Sequence, residues 1–178
     1  MKQRYFTIIL LLLAAVVQTA AQALTDRYNR QNPVVMVCHW DNPPYEFLND
    51  NGEPAGINVD IVKAVMKELD LPCQFVMKEW SVTKNTFDSG NADLILTDAR
   101  AYQKANFVTS ENVLAYRRVQ ADSVAEIHFI GRDRQLIEQI DDQYARLKQQ
   151  GKLTIIQDHW LHPEREDRKS GSAGMPRP

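Results

Sequence analysis

The chain of 178 residues carries 21 Lys+Arg against 23 Asp+Glu, a formal net charge of −2, and 44% hydrophobic residues. A balance this mild argues against nucleic acid or an anionic membrane surface as partner. The length supports one domain with a single sizeable core.

Residues 1–23 have the pattern of a secretory signal peptide. Lys2 and Arg4 supply the positive start, Phe6 to Val17 is apolar apart from Thr7, and Ala21-Gln22-Ala23 offers a small-residue cleavage site. The apolar run is shorter than the about 20 residues that a membrane-spanning helix needs, so cleavage is expected rather than an uncut anchor. The expected product is a periplasmic or otherwise exported chain of residues 24–178, with 19 basic and 23 acidic side chains.

Residues 24–32 are polar and read as a loose leader. Val34 to Cys38 is a short β-branched apolar run, the pattern of a buried strand. Asp41-Asn42-Pro43-Pro44 stops it, because prolines fix φ and donate no backbone hydrogen bond. Tyr45-Glu46-Phe47 resumes an extended segment, and Asn49 to Gly52 is dense in turn residues. Gly56 precedes a helix with apolar positions Val59, Val62, Val65, Met66 and Leu69, for which Asn58 is the expected cap. After the turn at Asp70-Leu71-Pro72, Cys73 to Met77 completes a βαβ unit. Ser81 is the expected cap of a short helix ending near Gly90, and Ala92 to Leu96 is the third parallel strand.

Asn112 to Arg118 reads as a further strand, separated by Gln120 to Glu126 from a returning strand at Ile127 to Ile130. Two helices follow. One carries Leu136, Ile137, Ile140, Tyr144 and Leu147 and ends at Gly151; the other carries Leu153, Ile156, Trp160 and Leu161. Residues 163–178 have too little apolar surface to fold and are expected to be disordered. Cys38 falls late in the first strand and Cys73 early in the second. In a parallel pair those ends lie too far apart for a disulfide, so two free, largely buried thiols are expected.

The run Pro43-Pro44-Tyr45-Glu46-Phe47, followed by Gly52, Pro54, Gly56, Asp60 and Ile61, resembles domain one of the type 2 periplasmic solute-binding proteins. Within that group it is similar to the amino-acid-binding family, the extracellular solute-binding proteins of family 3. Trp80 and the later Ser89-Gly90, Asp93, Leu94 and Ile95 fit the same pattern. The resemblance implies an α/β fold, a mostly parallel sheet with helices on both faces. Such proteins have two lobes joined by paired hinge strands, whereas here the outgoing and returning strands are nearly consecutive. The expected domain is therefore a single lobe over residues 33–162, its hinge strands joined by a short hairpin.

The resemblance also implies a ligand site at the carboxyl ends of the strands. The ligand-binding candidates there are Asp41, Tyr45, Trp80, Thr97 and Arg100. Thr97-Asp98-Ala99-Arg100 keeps the family's T-x-x-R spacing, in which the arginine pairs with a ligand carboxylate; the loop before the threonine is several residues short. With half the contacts gone, the site is expected to bind a small polar or amino-acid-like ligand weakly, or a protein partner. The expected role is a non-catalytic sensor or interaction module, with a homodimer or a membrane protein as further partners. The alternatives are the binding component of an amino-acid ABC transporter, and a clamshell-family enzyme such as a dehydratase. Cys38-His39 lie on opposite strand faces, His159 and His162 lack a third ligand nearby, and no phosphate-binding glycine loop is present, so no cofactor or metal is expected.

Overall fold

The computed structural model describes residues 5–6, 9, 22–103, 106–120 and 123–162, with the backbone course alone over 116–120. Most of the expected signal peptide and the tail 163–178 lie outside the described residues. Among the described residues no helix is long and apolar enough to cross a membrane.

The sheet is built outward from β1 (Val34–His39), whose Val34, Met36, Val37 and Cys38 are all buried. A strand covered on both faces needs an unbroken apolar run, and this one has it. On one side β1 pairs in parallel with β5 (Cys73–Lys78), Val34 opposite Cys73 and His39 opposite Lys78. On the other it pairs in parallel with β6 (Leu94–Asp98). Beyond β6 lies the long antiparallel strand β9 (Ser123–Gly131). The far edge of β9 holds β7 (Val108–Thr109) at one end and β8 (Ala115–Gln120) at the other. A separate antiparallel ribbon, β2 (Asp41–Asn42), β3 (Glu46–Leu48) and β4 (Pro54–Ala55), rises from the end of β1.

Helices cover both faces. α2 (Ile57–Glu68), α4 (Arg134–Gln149) and α5 (Lys152–Leu161) close the larger core, in which Val62, Val65, Leu136, Ile140 and Leu147 meet Met36, Leu94 and Phe129. α3 (Trp80–Asp88) covers the other face, where Phe87 packs with Val37, Ile95, Tyr102 and Ile130.

The hinge hairpin is tighter than the sequence suggests. β8 and β9 pair from Ala115↔Ile127 to Gln120↔Ser123, so residues 121 and 122 alone stand between them. The expected connection Gln120 to Glu126 is mostly strand. Its alternation of exposed Val124 and Glu126 with buried Ala125 and Ile127 is a half-buried strand pattern, hidden in the sequence by its polar and small residues. The other end of β8 starts at Ala115 rather than Asn112, because the backbone amides of Glu111 and Asn112 donate to the Asp141 carboxylate instead of joining the ladder.

Three local expectations are corrected. Residues 22–27 form a helical turn, α1, and the leader is not loose: Leu24 and Tyr28 are buried in the main core, and Arg27 pairs with Asp133. Ser81 lies within the first turn of α3, which begins at Trp80 with Glu79 at the cap position. Asn58 does not cap α2. The cap position is Gly56, at φ 114°, and Asn58 is buried inside the first turn. The free amides there are taken by the proline loop, Ile57 N donating to Pro44 O at 2.9 Å and Asn58 N to Tyr45 O at 2.8 Å. That seating needs a glycine, since a Cβ on Gly56 would stand 2.5 Å from Tyr45 O.

Cys38 and Cys73 are free. Cys38 pairs with Met77 and Cys73 with Val34, which separates the two cysteines by about 13 Å along adjacent strands. Burial pushes both thiols up, Cys73 to about 12 and Cys38 well above its ordinary value.

Two predictions follow from these positions. Gly56→Ala combines a left-handed backbone with a backbone collision, so it is expected to cost upwards of about 2 kcal/mol in urea unfolding. The thiols stay protonated in the folded chain while those of the unfolded chain ionise above about pH 9. Their contribution is therefore complete below that pH and is lost as pH rises. In reducing buffer, Cys73→Ala should flatten the decline of unfolding free energy between pH 9 and 10.5, by up to about 1.4 kcal/mol per pH unit. An unchanged slope would count against a buried neutral thiol at that position.

Candidate functional site

The carboxyl ends of β1 and β6, the proline loop and the start of α3 enclose a cleft of about 340 Å³. Its wall includes His39, Asp41, Asn42, Tyr45, Glu46, Asn58, Trp80, Thr97 and Ile127. Each is placed by its element. His39 ends β1, and its ring Nδ1 accepts from the Asp41 amide at 3.1 Å, which turns the chain into β2. Thr83, fully buried in α3, donates to Cys38 O and Lys78 O at 3.2 Å each, so the helix that begins with Trp80 is tied to the ends of β1 and β5.

Under the loop lies a buried polar arrangement. Glu46 is 5% exposed. One carboxylate oxygen accepts from the His39 amide at 3.1 Å and the other from Asn58 Nδ2 at 3.3 Å. A buried carboxylate survives only with such donors. It joins the strand end, the ribbon and the first turn of α2, and holds the rim residues Asp41 and Tyr45 over the cleft.

Of the five residues expected from the sequence, Asp41, Tyr45, Trp80 and Thr97 line this cleft and Arg100 does not. Arg100 sits in a short 3-10 helix, Ala99–Tyr102. Its guanidinium grips Asp98 with Nε at 3.0 and 3.1 Å and a terminal nitrogen at 2.6 Å. It borders a different hollow, together with Asp98, Val124 and Glu126. On β9 the cleft residue Ile127 and the hollow residues Val124 and Glu126 differ in parity, so they face opposite sides of the sheet, and the sheet separates Arg100 from the cleft.

Glu46 and Asn58 were not among the sequence candidates. The signal available was a carboxylate flanked by Tyr45 and Phe47 in an extended segment, a place where burial demands a partner. The thiol beside the site offers no nucleophile: Cys38 is buried and its ionisation is suppressed by desolvation. Among the described residues no group of three His, Cys, Asp or Glu could hold a metal ion.

No curated protein sequence matches the chain. Solved structures with a similar fold include a histidine kinase sensor domain with similarity to periplasmic binding proteins, at 17% identity and TM-score 0.61, covering 77% of this chain and 98% of that one. A mutant of ArgBP from T. maritima aligns at 14% identity and TM-score 0.63, covering 80% and 99%. The arginine-bound form of domain 1 from TmArgBP aligns at 20% identity and TM-score 0.54, covering 66% and 94%. At these identities the likeness shows the fold. Residues 34–163 match the model of the bacterial extracellular solute-binding proteins, family 3, and the chain belongs to that family, spanning about one lobe of its fold.

Proposed function

We propose that this chain is an exported, non-catalytic binding module of a single lobe, residues 33–162, that senses a small polar or amino-acid-like solute at the strand-end cleft. The observation that carries the reading is the β8–β9 hairpin. Where a two-lobed relative sends its chain across to a second lobe, this one pairs its outgoing strand β8 directly with the returning strand β9, and the cleft keeps one wall.

An open cleft leaves much of a ligand in water, so affinity is low unless a partner covers it. Sensing tolerates that, because a receptor needs only a difference in free energy between its empty and filled states. The likeness to a histidine kinase sensor domain supports this use, and the arginine-bound single domain of TmArgBP supports ligand binding by one lobe. Delivery to a permease is the less favoured role, since it calls for a closed, two-walled complex.

Thermal shift across a panel of amino acids and related solutes tests the proposal. Ligand at a hundred times its dissociation constant adds about 2.7 kcal/mol, which raises the midpoint of a chain this size by roughly 5–10 °C. We expect stabilisation only at millimolar solute, with dissociation constants of about 0.1–1 mM. A nanomolar constant in a monomer, checked by light scattering, would instead favour the transport receptor.

A further inference from the structure

The hairpin from β3 to β4 turns through Asn49-Asp50-Asn51-Gly52-Glu53. Asp50 to Glu53 are exposed, and Gly52 sits in the left-handed region at φ 76°. Asn49 holds the turn together. Its carbonyl accepts from the Gly52 amide at 2.8 Å, and its side-chain Oδ1 accepts from the backbone amides of Asn51 at 3.0 Å and Glu53 at 2.9 Å. The side chain of Asn51 points to solvent, and among the described residues no hydrogen bond holds its amide.

Of the asparagines in the chain, Asn51 alone precedes a glycine. That pairing has a chemical consequence. An asparagine carries its amide carbon within reach of the next residue's backbone nitrogen, so attack by that nitrogen is intramolecular. A Cβ on the following residue crowds the approach. Gly52 has none, and nothing lies within 4 Å of where one would stand. Asn32 and Asn42 precede prolines, which have no N–H to ionise, and Asn58 is buried in α2. The Gly52 amide must leave Asn49 O before it reacts; in an exposed turn local opening lets water take its place.

We propose that Asn51-Gly52 is a self-modifying site, where the asparagine converts to aspartate and isoaspartate without an enzyme, and that the isoaspartate loosens the β3–β4 turn. The Gly52 nitrogen gives its proton to hydroxide and forms a bond to Asn51 Cγ. The Cγ–Nδ2 bond then breaks, and the nitrogen leaves as ammonia after taking a proton from water. A second water adds to one of the two carbonyls of the cyclic imide. Opening on one side gives aspartate; opening on the other gives isoaspartate, whose main chain runs through Cβ and Cγ. The sum is one water consumed, one ammonia released and one carboxyl group gained. The extra main-chain carbon moves the amides of Gly52 and Glu53 away from Asn49, beside the Leu48↔Pro54 pair of the ribbon that bears the cleft rim.

Incubation of the folded, exported chain at mildly alkaline pH, followed by peptide mapping by mass spectrometry, tests the site. The first gain of one mass unit should fall on the peptide holding Asn51, with a more acidic form appearing in step on ion exchange. Asn51→Gln should abolish both. A first gain at another asparagine would overturn the proposal, and so would a reaction at Asn51 that needs the chain unfolded in urea. The isoaspartate form, separated from the rest, should then melt about 2–4 °C below Asn51→Asp, which has the same charge on an ordinary main chain. Equal midpoints would overturn the loosening of the turn.

Discussion

Everything in this molecule hangs on β9 being paired along both edges. On one side it meets β6 from Leu94↔Gly131 to Asp98↔Ile127; on the other it meets β7 and then β8. A strand flanked on both sides has its amides and carbonyls satisfied by the ladder, which is what allows Ile127, Phe129 and Ile130 to be buried together. Gly131 ends the strand where a Cβ would lie 2.9 Å from Asp93 O, so the β6 junction is as tight as backbone can make it. Asp93 in turn accepts from the Val35 amide at 2.8 Å and donates its own amide to Val35 O at 2.8 Å, binding β6 to β1. The central strands thus form one continuous hydrogen-bonded unit, and the cleft opens at its edge.

The C-terminal half then holds the site-bearing half in place. Trp160 of α5 donates to Asp60 of α2 at 2.8 Å and meets the Phe47 ring edge-on at 5.6 Å, so the last helix grips both the ribbon and the helix that carry the cleft loop. On the other face Arg132 lies over Phe87 at 4.8 Å and Phe107 at 4.7 Å, and donates to Phe87 O and Asp88 O. A guanidinium over two rings combines cation attraction with packing of its stem. Neither contact touches the cleft. Both fix the elements from which Glu46, Tyr45 and Trp80 project.

What could be read in advance follows from what a linear pattern encodes. The apolar runs of β1 and β6 and the 3.6-residue spacing of α2 and α4 report burial directly, and those elements stand where the pattern puts them. The start of β9 was missed because Ser123, Val124, Ala125 and Glu126 offer small and polar residues to an alternation that only pairing with β8 reveals. Leu24 and Tyr28 look isolated in a polar segment, and their burial depends on a core assembled from residues far along the chain. The cleft was legible in four residues because they follow strand ends. Arg100 keeps the family spacing and still does not line the cleft, because Asp98, two residues before it, takes its guanidinium. Glu46 and Asn58 were illegible as a pair: each is an ordinary polar residue until folding brings them to 3.3 Å in a place without water.

The geometry also constrains how a filled cleft could be sensed. In a two-lobed protein, binding free energy is converted into closure of one lobe on the other. Here β8 pairs directly with β9, and the described residues contain no second wall to swing. What a ligand can change is the rim itself: the exposure of Asp41 and Tyr45, next to the exposed side chains of Trp40 and Leu48. A solute seated there would cover part of the polar and of the aromatic surface of the rim at once. Both effects alter how that face meets another protein surface, through charge complementarity and through apolar area left to bury. Under the proposed function, then, coupling between solute and partner is a matter of what the rim presents and not of how far a lobe travels. The differential affinity of the partner for the filled and empty rim sets its size.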